Sequence, residues 1–220
     1  RFTIQADIYE DGVSYAYGYY YQGAMSQYGV VDKRVLSSDG GNNNLLLLED
    51  TTGYAEGALA EPWACVVAAY GLDYRNTLQP GGTGWFIGAN DNREFVIDVG
   101  FVKTAKPKKI LVTNIPEELT DRIKSLANEL GIQFDHVSYI NSLDDEVVDD
   151  IILFGHDAVI IATASQKLKS HGVFCIMTDQ QITDPVPVDL GRVHYQRWLY
   201  VADSGLDFSQ AYQNGLKRNT

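Results

Sequence analysis

Residues 109–131 read KILVTNIPEELTDRIKSLANELG, and this stretch decides the fold. The opening KILVT is short and apolar, which is typical of a strand buried on both faces. Apolar residues then recur at the spacing of one helix face, at Leu119, Ile123, Leu126, Ala127 and Leu130. Asn114 is a candidate N-cap for this helix, and Gly131 suits its end. The stretch therefore predicts a strand, a tight turn and an amphipathic helix.

The same alternation continues on both sides of this unit. Short apolar runs predict further strands at 85–87, 134–140, 150–154, 173–177 and 199–202. Helices are expected at 94–103, 156–169 and 208–216. Strands that alternate with helices and are apolar on both faces form a parallel sheet covered on both sides. The predicted fold class is therefore α/β, with a doubly wound parallel sheet.

Such sheets bind ligands beyond the carboxyl ends of their strands, where the strand order switches. The expected site lies near Gly88, Asn114, Phe154–Asp157 and Thr178–Asp179. His156 opens a helix there, and we interpret it either as a ligand contact or as a solvated first-turn residue. The acidic run DDEVVDD at 144–150 lacks the glycine and spacing of a calcium loop, so we interpret it as a solvated helix face.

Residues 1–55 have a different pattern from the rest of the chain. Phe2, Ile4 and Ala6 alternate with polar neighbours, which predicts half-buried strands, and residues 45–48 predict a brief buried strand. A helix is expected from Ala55 to about Gly71. Five tyrosines between 15 and 21 alternate in part, and they belong either to a core or to a contact with a missing domain or another protein. We expect an incomplete β-rich segment over 1–55 and an α/β domain over 56–220.

Composition narrows the function classes. The formal net charge of -12 disfavours nucleic acid as a partner, and no apolar run has the roughly 18 residues that a membrane helix needs. Cys65 and Cys175 both have apolar neighbours, so we expect two buried reduced thiols in a cytoplasmic protein. The chain begins with Arg1 rather than Met, so we expect that the natural N-terminus lies elsewhere.

Two segments carry a resemblance to a known family. ALAEPWACVVAAY at 58–70 and LQPGGTGWFIGA at 78–89 resemble the medium-chain, zinc-type alcohol dehydrogenases, and most of all their polyol and sorbose-phosphate branch. Segments at 107–119, 149–155, 171–177 and 189–205 follow in the order of that family. The resemblance implies a Rossmann-type domain at 56–220 that follows the tail of a GroES-like domain. It also implies NAD(P) as cofactor and a catalytic zinc.

The cofactor loop departs from the family pattern. The family has three glycines as G-x-G-x-x-G, whereas this chain has GANDNR at 88–93, with Gly88 alone retained. Asn90 and Asp91 add side chains where the pyrophosphate would lie. A like-charge contact between Asp91 and a phosphate costs on the order of 4 kcal/mol at an effective dielectric constant near 20, unless Arg93 compensates it. The expected cofactor-contacting residues, vestigial or weak, are Gly88, Ala89, Asn90, Asn114 and Phe154.

Two further positions bear on the family's chemistry. Asn114 stands where the resemblance implies an acid that binds the ribose; it is interpreted either as a donor to the ribose or a 2′-phosphate, or as a helix cap. Glu61 matches the acidic residue of the family's Glu-Pro motif near the metal; its other interpretation is a carboxylate at a helix start. One carboxylate does not hold a zinc ion alone, and the family's other zinc motifs have no counterpart here.

Two functional hypotheses follow. The first is a degenerate dehydrogenase-like module without catalysis or cofactor, which acts in interaction or assembly with a protein partner or as a homo-oligomer. The second is an NAD(P)-dependent, zinc-type polyol or sugar-phosphate dehydrogenase, of which this chain is a part. Binding of NADH and NADPH discriminates between them.

Overall fold

The structure, a computed structural model, describes residues 1–37, 39, 41, 43–70, 75–97, 101 and 106–214, with the side chains of 69 and 70 excepted. Contacts divide the chain into two compact units, Arg1–Leu72 and Asp73–Thr220. The helix Tyr54–Tyr70 is grouped with the first unit. The predicted boundary between residues 55 and 56, and the GroES-like nature of the first segment, stay predictions.

The first unit consists of short strands and one long helix. Its strands are β1 (Phe2–Ile4), β2 (Asp7–Glu10), β3 (Val13–Ala16) and β4 (Leu45–Leu47), and its helices are α1 (Lys33–Leu36) and α2 (Tyr54–Tyr70). β1 pairs with β4 and β2 with β3, both antiparallel. A small core forms around Ile8, Tyr21 and Val35. The helix predicted from residue 55 is confirmed as α2.

Some predictions for the first unit are wrong. Leu46 and Leu47 of β4 are exposed rather than buried, because a sheet of only two strands leaves much of its surface uncovered. The tyrosine run does not continue the strand, since β3 ends at Ala16 and a turn follows. The rings of Tyr15, Tyr20 and Tyr21 pack against one another instead.

The second unit is built on one six-stranded sheet. Its strands are β5 (Thr83–Ala89), β6 (Lys109–Thr113), β7 (Gln133–His136), β8 (Val148–Gly155), β9 (Leu168–Met177) and β10 (Leu199–Asp203). They lie in the order β10-β9-β8-β5-β6-β7, and all neighbours pair in parallel. This is the strand order of dinucleotide-binding folds, with the switch point between β5 and β8. The predicted α/β class is confirmed.

Both faces of the sheet are covered, because successive strand residues point to opposite sides. On one face, Phe86 packs with α3 (Glu117–Leu130) and α6 (Phe208–Asn214). On the other face, Trp85 and Ile87 pack with α4 (Ala158–Ser165). A short helix, α5 (Leu190–Tyr195), precedes the edge strand β10. None of the helices in the described residues is long and apolar enough to cross a bilayer.

Several local predictions for the second unit are wrong. No helix forms over 94–97 or at 101, where the chain is irregular and Phe95 and Ile97 are buried on the sheet; residues 98–100, 102 and 103 lie outside the described part. α4 ends at Ser165 because β9 already begins at Leu168. β7 ends at His136, residues 137–139 are irregular, and a 3-10 turn follows at Ile140–Ser142.

The acidic run at 144–150 is not a helix face. Residues 144–147 form an irregular connection, residues 148–150 are the first residues of β8, and Asp150 is fully buried there. The buried carboxylate has an arginine and two further donors as partners, which the sequence prediction missed. The first cysteine prediction is also wrong, since Cys65 is exposed on α2, whereas Cys175 is buried in β9 as expected.

Candidate functional site

The carboxyl ends of β5, β6 and β8 bring the predicted site residues together. Gly88 and Ala89 end β5, Asn114 follows β6, and Gly155 ends β8. Asn90 continues the edge by forming a bridge with Gly155. The strand ends at the switch point are therefore joined by backbone pairing, and the loops that follow them surround this junction.

Gly88 is required by a close approach of two chain segments. A Cβ atom at Gly88 would lie 2.0 Å from the backbone oxygen of Asn114. Asn114 has a left-handed backbone with φ of 51°, and its Nδ2 donates to the backbone oxygen of Gly88 at 3.0 Å. The predicted cap is wrong, because α3 is preceded by Pro116 and has no side-chain cap. Asn114 instead ties the turn after β6 to the end of β5.

The turn after β5 does not open a helix. Asn90 has a left-handed φ of 64°, as a tight turn requires, but residues 91–97 are irregular. A pyrophosphate in a dinucleotide-binding fold is held by the backbone N–H groups at a helix N-terminus. In the described residues after β5 that helix start is absent, so this turn does not fit the phosphates of NAD(P).

Asp91 and Arg93 form a closed ion pair beside this turn. Arg93 Nε donates to Asp91 Oδ1 at 3.0 Å, and Arg93 Nη2 donates to Oδ2 at 2.8 Å. Burial raises the pKa of the Asp91 carboxyl, but hydrogen bonds and the charge of Arg93 outweigh it, so the pKa lies below its ordinary value. The carboxylate is ionised and neutralised by Arg93, so its repulsion of a phosphate is smaller than that of an unpaired acid.

The same arginine links three loops. Besides Asp91 after β5, Arg93 lies 3.6 Å from Asp179 after β9, and its Nη1 donates to the backbone oxygen of Ser204 after β10 at 2.9 Å. Asp157 follows β8, and Asp203 ends β10. Each of these four strand ends thus carries an aspartate, and Arg93 forms ion pairs with two of the four, Asp91 and Asp179. The edge has a negative character that opposes a diphosphate.

Two cavities open beside α4 at this edge. The larger, of about 620 Å³, is lined by Ala89, Asn90 and the start of α4, and by a loop at 183–187 that contains Asp184. The smaller, of about 350 Å³, lies between the ends of β5 and β6, residues 138–141 and α4, and it shares Val159 and Thr163 of that helix with the larger one. His156 is exposed and lines the larger one, together with Asp157, which caps α4 through Val159 and Ile160.

Phe154 lies below this edge rather than on it. Its side chain is buried, and its ring centroid is 4.2 Å from that of Phe95. Its assignment as a cofactor contact stays a prediction. Sequence reasoning did not single out the loops at 138–141 and 183–187. The prolines of TDPVP at 183–187 mark that segment as irregular, but nothing in its composition indicates that it lines a cavity.

Glu61 was predicted as a possible metal contact from the family resemblance. It lies exposed on α2, where its Oε1 accepts from the thiol of Cys65 at 3.1 Å, one helical turn away. A zinc site needs three or four such ligands. Within the described residues no group of three or more His, Cys, Asp or Glu side chains is placed to hold a metal ion. The residues around Glu61 therefore do not fit a zinc ion by themselves.

Comparison with known proteins gives distant similarities. No family model matches the chain. The chain is 29% identical over 222 residues to mannitol-1-phosphate 5-dehydrogenase of Aliivibrio fischeri, across 88% of this chain and 51% of that protein. It is 24% identical over 234 residues to the uncharacterized protein YggP of Escherichia coli, across 93% of this chain and 53% of that protein.

One of the solved structures that are similar to this chain is also a dehydrogenase. The 2R,3R-butanediol dehydrogenase of Bacillus subtilis has a TM-score of 0.39 and 17% identity, and the match covers 79% of this chain and 49% of that chain. The chain spans about half the length of the curated relatives it matches. The resemblance to alcohol and polyol dehydrogenases is confirmed as a distant and partial similarity, and the fold is given by the strand order of the sheet itself.

Proposed function

We propose that this chain is a dehydrogenase-like module whose crevice does not bind a dinucleotide tightly, and that it acts in interaction or assembly rather than in catalysis. The observation that carries the proposal is the turn after β5, where no helix start faces the position of the pyrophosphate in the described residues. The module retains the sheet of a dinucleotide-binding fold, but the described residues after β5 do not supply the backbone donors of a helix start that make such a sheet a cofactor site.

The charges at the edge support the same proposal. A diphosphate would have to lie beside Asp91, Asp157 and Asp179, and the nearby Arg93 already forms ion pairs with two of them. Recruiting Arg93 to the cofactor would leave Asp91, whose side chain is only 11% exposed, without its cation. The free energy lost by breaking the Asp91–Arg93 pair would offset the free energy gained from a contact between Arg93 and the phosphate.

Exposed aromatic and apolar residues support a role in interaction. On α2, Tyr54, Leu59 and Trp63 are more than half exposed, as are Tyr19 and Tyr28 in the loops of the first unit. Aromatic side chains of this kind are enriched at the energetic centres of protein interfaces. A protein partner or a second copy of the chain is therefore the proposed binding partner, and mass measurement in native buffer tests it. A strict monomer that captures no partner contradicts the interaction role.

The cofactor part of the proposal is tested by titration with NADH and NADPH, followed by nicotinamide fluorescence. We expect no saturable binding below roughly 1 mM, which corresponds to a binding free energy weaker than about -4 kcal/mol. Circular dichroism of the same sample establishes that the protein is folded. Binding in the micromolar range would contradict the proposal.

A second candidate is an NAD(P)-dependent polyol or sugar-phosphate dehydrogenase of which this chain is a part. The similarity to mannitol-1-phosphate 5-dehydrogenase favours it, as does the neutralisation of Asp91 by Arg93, which removes much of the repulsion expected from the sequence. Zinc would then require ligands beyond Glu61 and Cys65. Micromolar affinity for NADH or NADPH is the outcome that supports this candidate over the first.

A further inference from the structure

A further cavity lies toward the amino ends of the strands, away from the edge described above. It occupies about 460 Å³, and it lies between the first halves of β5, β6 and β7 and the connection formed by residues 142–147. Among the described residues it shares no lining residue with the two cavities beside α4. Dinucleotide-binding folds bind their ligands beyond the carboxyl ends of the strands. A site at this position is therefore separate from the cofactor crevice.

The alternation of the strands determines which side chains of β7 face this cavity. Asp135 pairs with Leu111, which lines the cavity and packs on the same face of the sheet as Trp85. The next residue, His136, pairs with Val112, which packs on the opposite face. Successive side chains of a strand point to opposite faces, so Asp135 faces the cavity and His136 lines it through its backbone.

The side chains that line the cavity carry one carboxylate more than they carry cations. Lys109 Nζ lies 2.7 Å from Asp135 Oδ2, so these two charges neutralise each other. Asp144 also lines the cavity, and it forms no ion pair or side-chain hydrogen bond with the described residues. A concave surface with an unpaired carboxylate attracts a positively charged ligand and repels an anion.

A buried hydroxyl without a partner lies in the same cavity. Thr83 is only 7% exposed, and its side chain forms no hydrogen bond with the residues that the structure describes. Its backbone N–H donates to Asp149 Oδ2 at 2.8 Å, which holds the residue in place. Buried hydroxyls normally have a hydrogen-bond partner, and the lack of one costs free energy. A ligand in the cavity would supply the partner that Thr83 lacks.

The remaining walls favour an organic cation over a metal ion. Leu111, Val137, Leu143 and Val147 give the cavity apolar surface. A metal ion would need more oxygen ligands than this cavity offers, since no group of three or more His, Cys, Asp or Glu side chains is placed to hold one in the described part of the chain. A hydrocarbon chain that carries a positive charge can use both the apolar walls and the carboxylate.

We infer that this cavity binds a small primary amine with a short hydrocarbon chain. Such an amine is protonated at neutral pH, as the side chain of lysine is. Its ammonium group would donate to the carboxylate of Asp144 and to the hydroxyl of Thr83, and its chain would pack against Leu111 and Val147. The volume lies within the roughly 300–1,000 Å³ that is common for ligand sites. The inference goes beyond the proposed function and does not depend on whether the crevice binds a dinucleotide.

The test is an NMR titration of the full chain with pentylamine, pentan-1-ol and pentanoate. These three probes have the same chain length and differ in charge. We expect pentylamine to bind with a Kd on the order of 1 mM, and pentan-1-ol to bind at least about fivefold more weakly. Pentanoate should show no saturable binding. Absence of saturable pentylamine binding, or equal binding of the alcohol or of pentanoate, would overturn the inference.

Matched variants locate the site. Asp144→Asn should weaken pentylamine binding about threefold or more and leave the binding of pentan-1-ol unchanged, because it removes the unpaired charge alone. Asp121→Asn is the control, since Asp121 is exposed on α3 and does not line this cavity. An equal loss in both variants would show general charge attraction and contradict the assignment.

The hydroxyl is tested by Thr83→Val, which keeps the shape of the side chain. This variant should also weaken pentylamine binding, because the ammonium group loses an acceptor. It should not lower the midpoint of thermal unfolding, since the hydroxyl has no partner among the described residues. A lower midpoint, or unchanged pentylamine affinity, would contradict the role of Thr83 in ligand binding.

Discussion

Two aspartate–arginine pairs in the second unit have the same chemistry and different surroundings. Asp150 lies fully buried in β8, and its Oδ1 accepts from Arg75 at 2.6 Å and from the hydroxyl of Tyr212 at 2.8 Å. Its Oδ2 accepts from the backbone N–H of Gln79 at 2.8 Å. This pair ties the segment before β5 and helix α6 to the middle of the sheet.

The second pair, Asp91 and Arg93, lies at the carboxyl edge of the sheet. The side chain of Arg93 is 22% exposed, and the two residues are two positions apart in the chain. The buried pair connects residues 75 positions apart, whereas the edge pair organises a local turn and reaches Asp179 and Ser204. The comparison shows that a buried pair contributes mainly to holding the fold together, while an edge pair determines which charges a ligand meets.

The largest expected effect comes from breaking the buried pair. Arg75→Met should lower the free energy of unfolding by about 3–5 kcal/mol, because it leaves the Asp150 carboxylate buried without its cation. Lys109→Ala is the control. It breaks an exposed pair with Asp135, in which the two side chains are 30% and 45% exposed, and should cost less than about 1 kcal/mol. Urea unfolding at pH 7 measures both, and equal losses would remove the distinction between the two kinds of pair.

The same variant has an expected pH dependence. Burial raises the pKa of Asp150, against the opposing charge of Arg75. An acid with a raised pKa in the folded state takes up a proton more readily there than in the unfolded chain, so protonation favours folding. The destabilisation in Arg75→Met should therefore shrink as the pH falls from 7 to 5. A loss that stays constant over this range would contradict a buried carboxylate as its cause.

An intermediate effect is expected at the junction of β5 and β6. Gly88→Ala places a Cβ against the backbone oxygen of Asn114, which cannot move without displacing the turn, so we expect a loss of about 1–3 kcal/mol. Gly84→Ala is the matched control in the same strand. Its Cβ would lie 3.2 Å from the flexible end of Ile110, so its loss should be smaller. Thermal unfolding of both variants gives the comparison, and a reversed order would contradict the close approach.

The smallest effect is expected at the edge pair. Asp91→Asn should destabilise the protein less than Arg75→Met does, because the edge pair is partly solvated. Since the folded pKa of Asp91 lies below its unfolded value, the stability that it contributes is complete above about pH 3.9 and is lost as the pH falls further. The difference between wild type and Asp91→Asn should thus be constant from pH 6 to 7 and shrink below pH 4. A difference that grows on acidification would contradict the lowered pKa.

Sequence patterns predicted the sheet more completely than they predicted its edge. The bounds of the strand Lys109–Thr113 and the end of α3 at Gly131 were predicted correctly to the residue. An apolar run and a glycine with positive φ determine the structure of their own segment, so the sequence alone reveals them. Asp150 was predicted both as the first residue of a strand and as part of a solvated acidic face, and its burial was missed because charged residues are usually exposed and its partners Arg75 and Tyr212 are distant in the chain. A helix was wrongly predicted at 94–97, because Phe95 and Ile97 fit a helix as well as a buried irregular segment.

The sequence by itself determined a layered parallel sheet, since the period of apolar residues requires each strand and helix to bury a particular face. It also determined that the glycine-rich turn at 88–93 is altered, because the sequence itself gives the residues of that turn. Only the tertiary structure decided that Arg93 neutralises Asp91, that Asn114 binds Gly88 rather than capping a helix, and that one cavity at the edge has no charge. The contact of Asn114 with Gly88 and the lining of the cavity depend on segments that lie apart in the chain and that the strands bring together at their ends, whereas the Asp91–Arg93 pair depends on the conformation of a local turn.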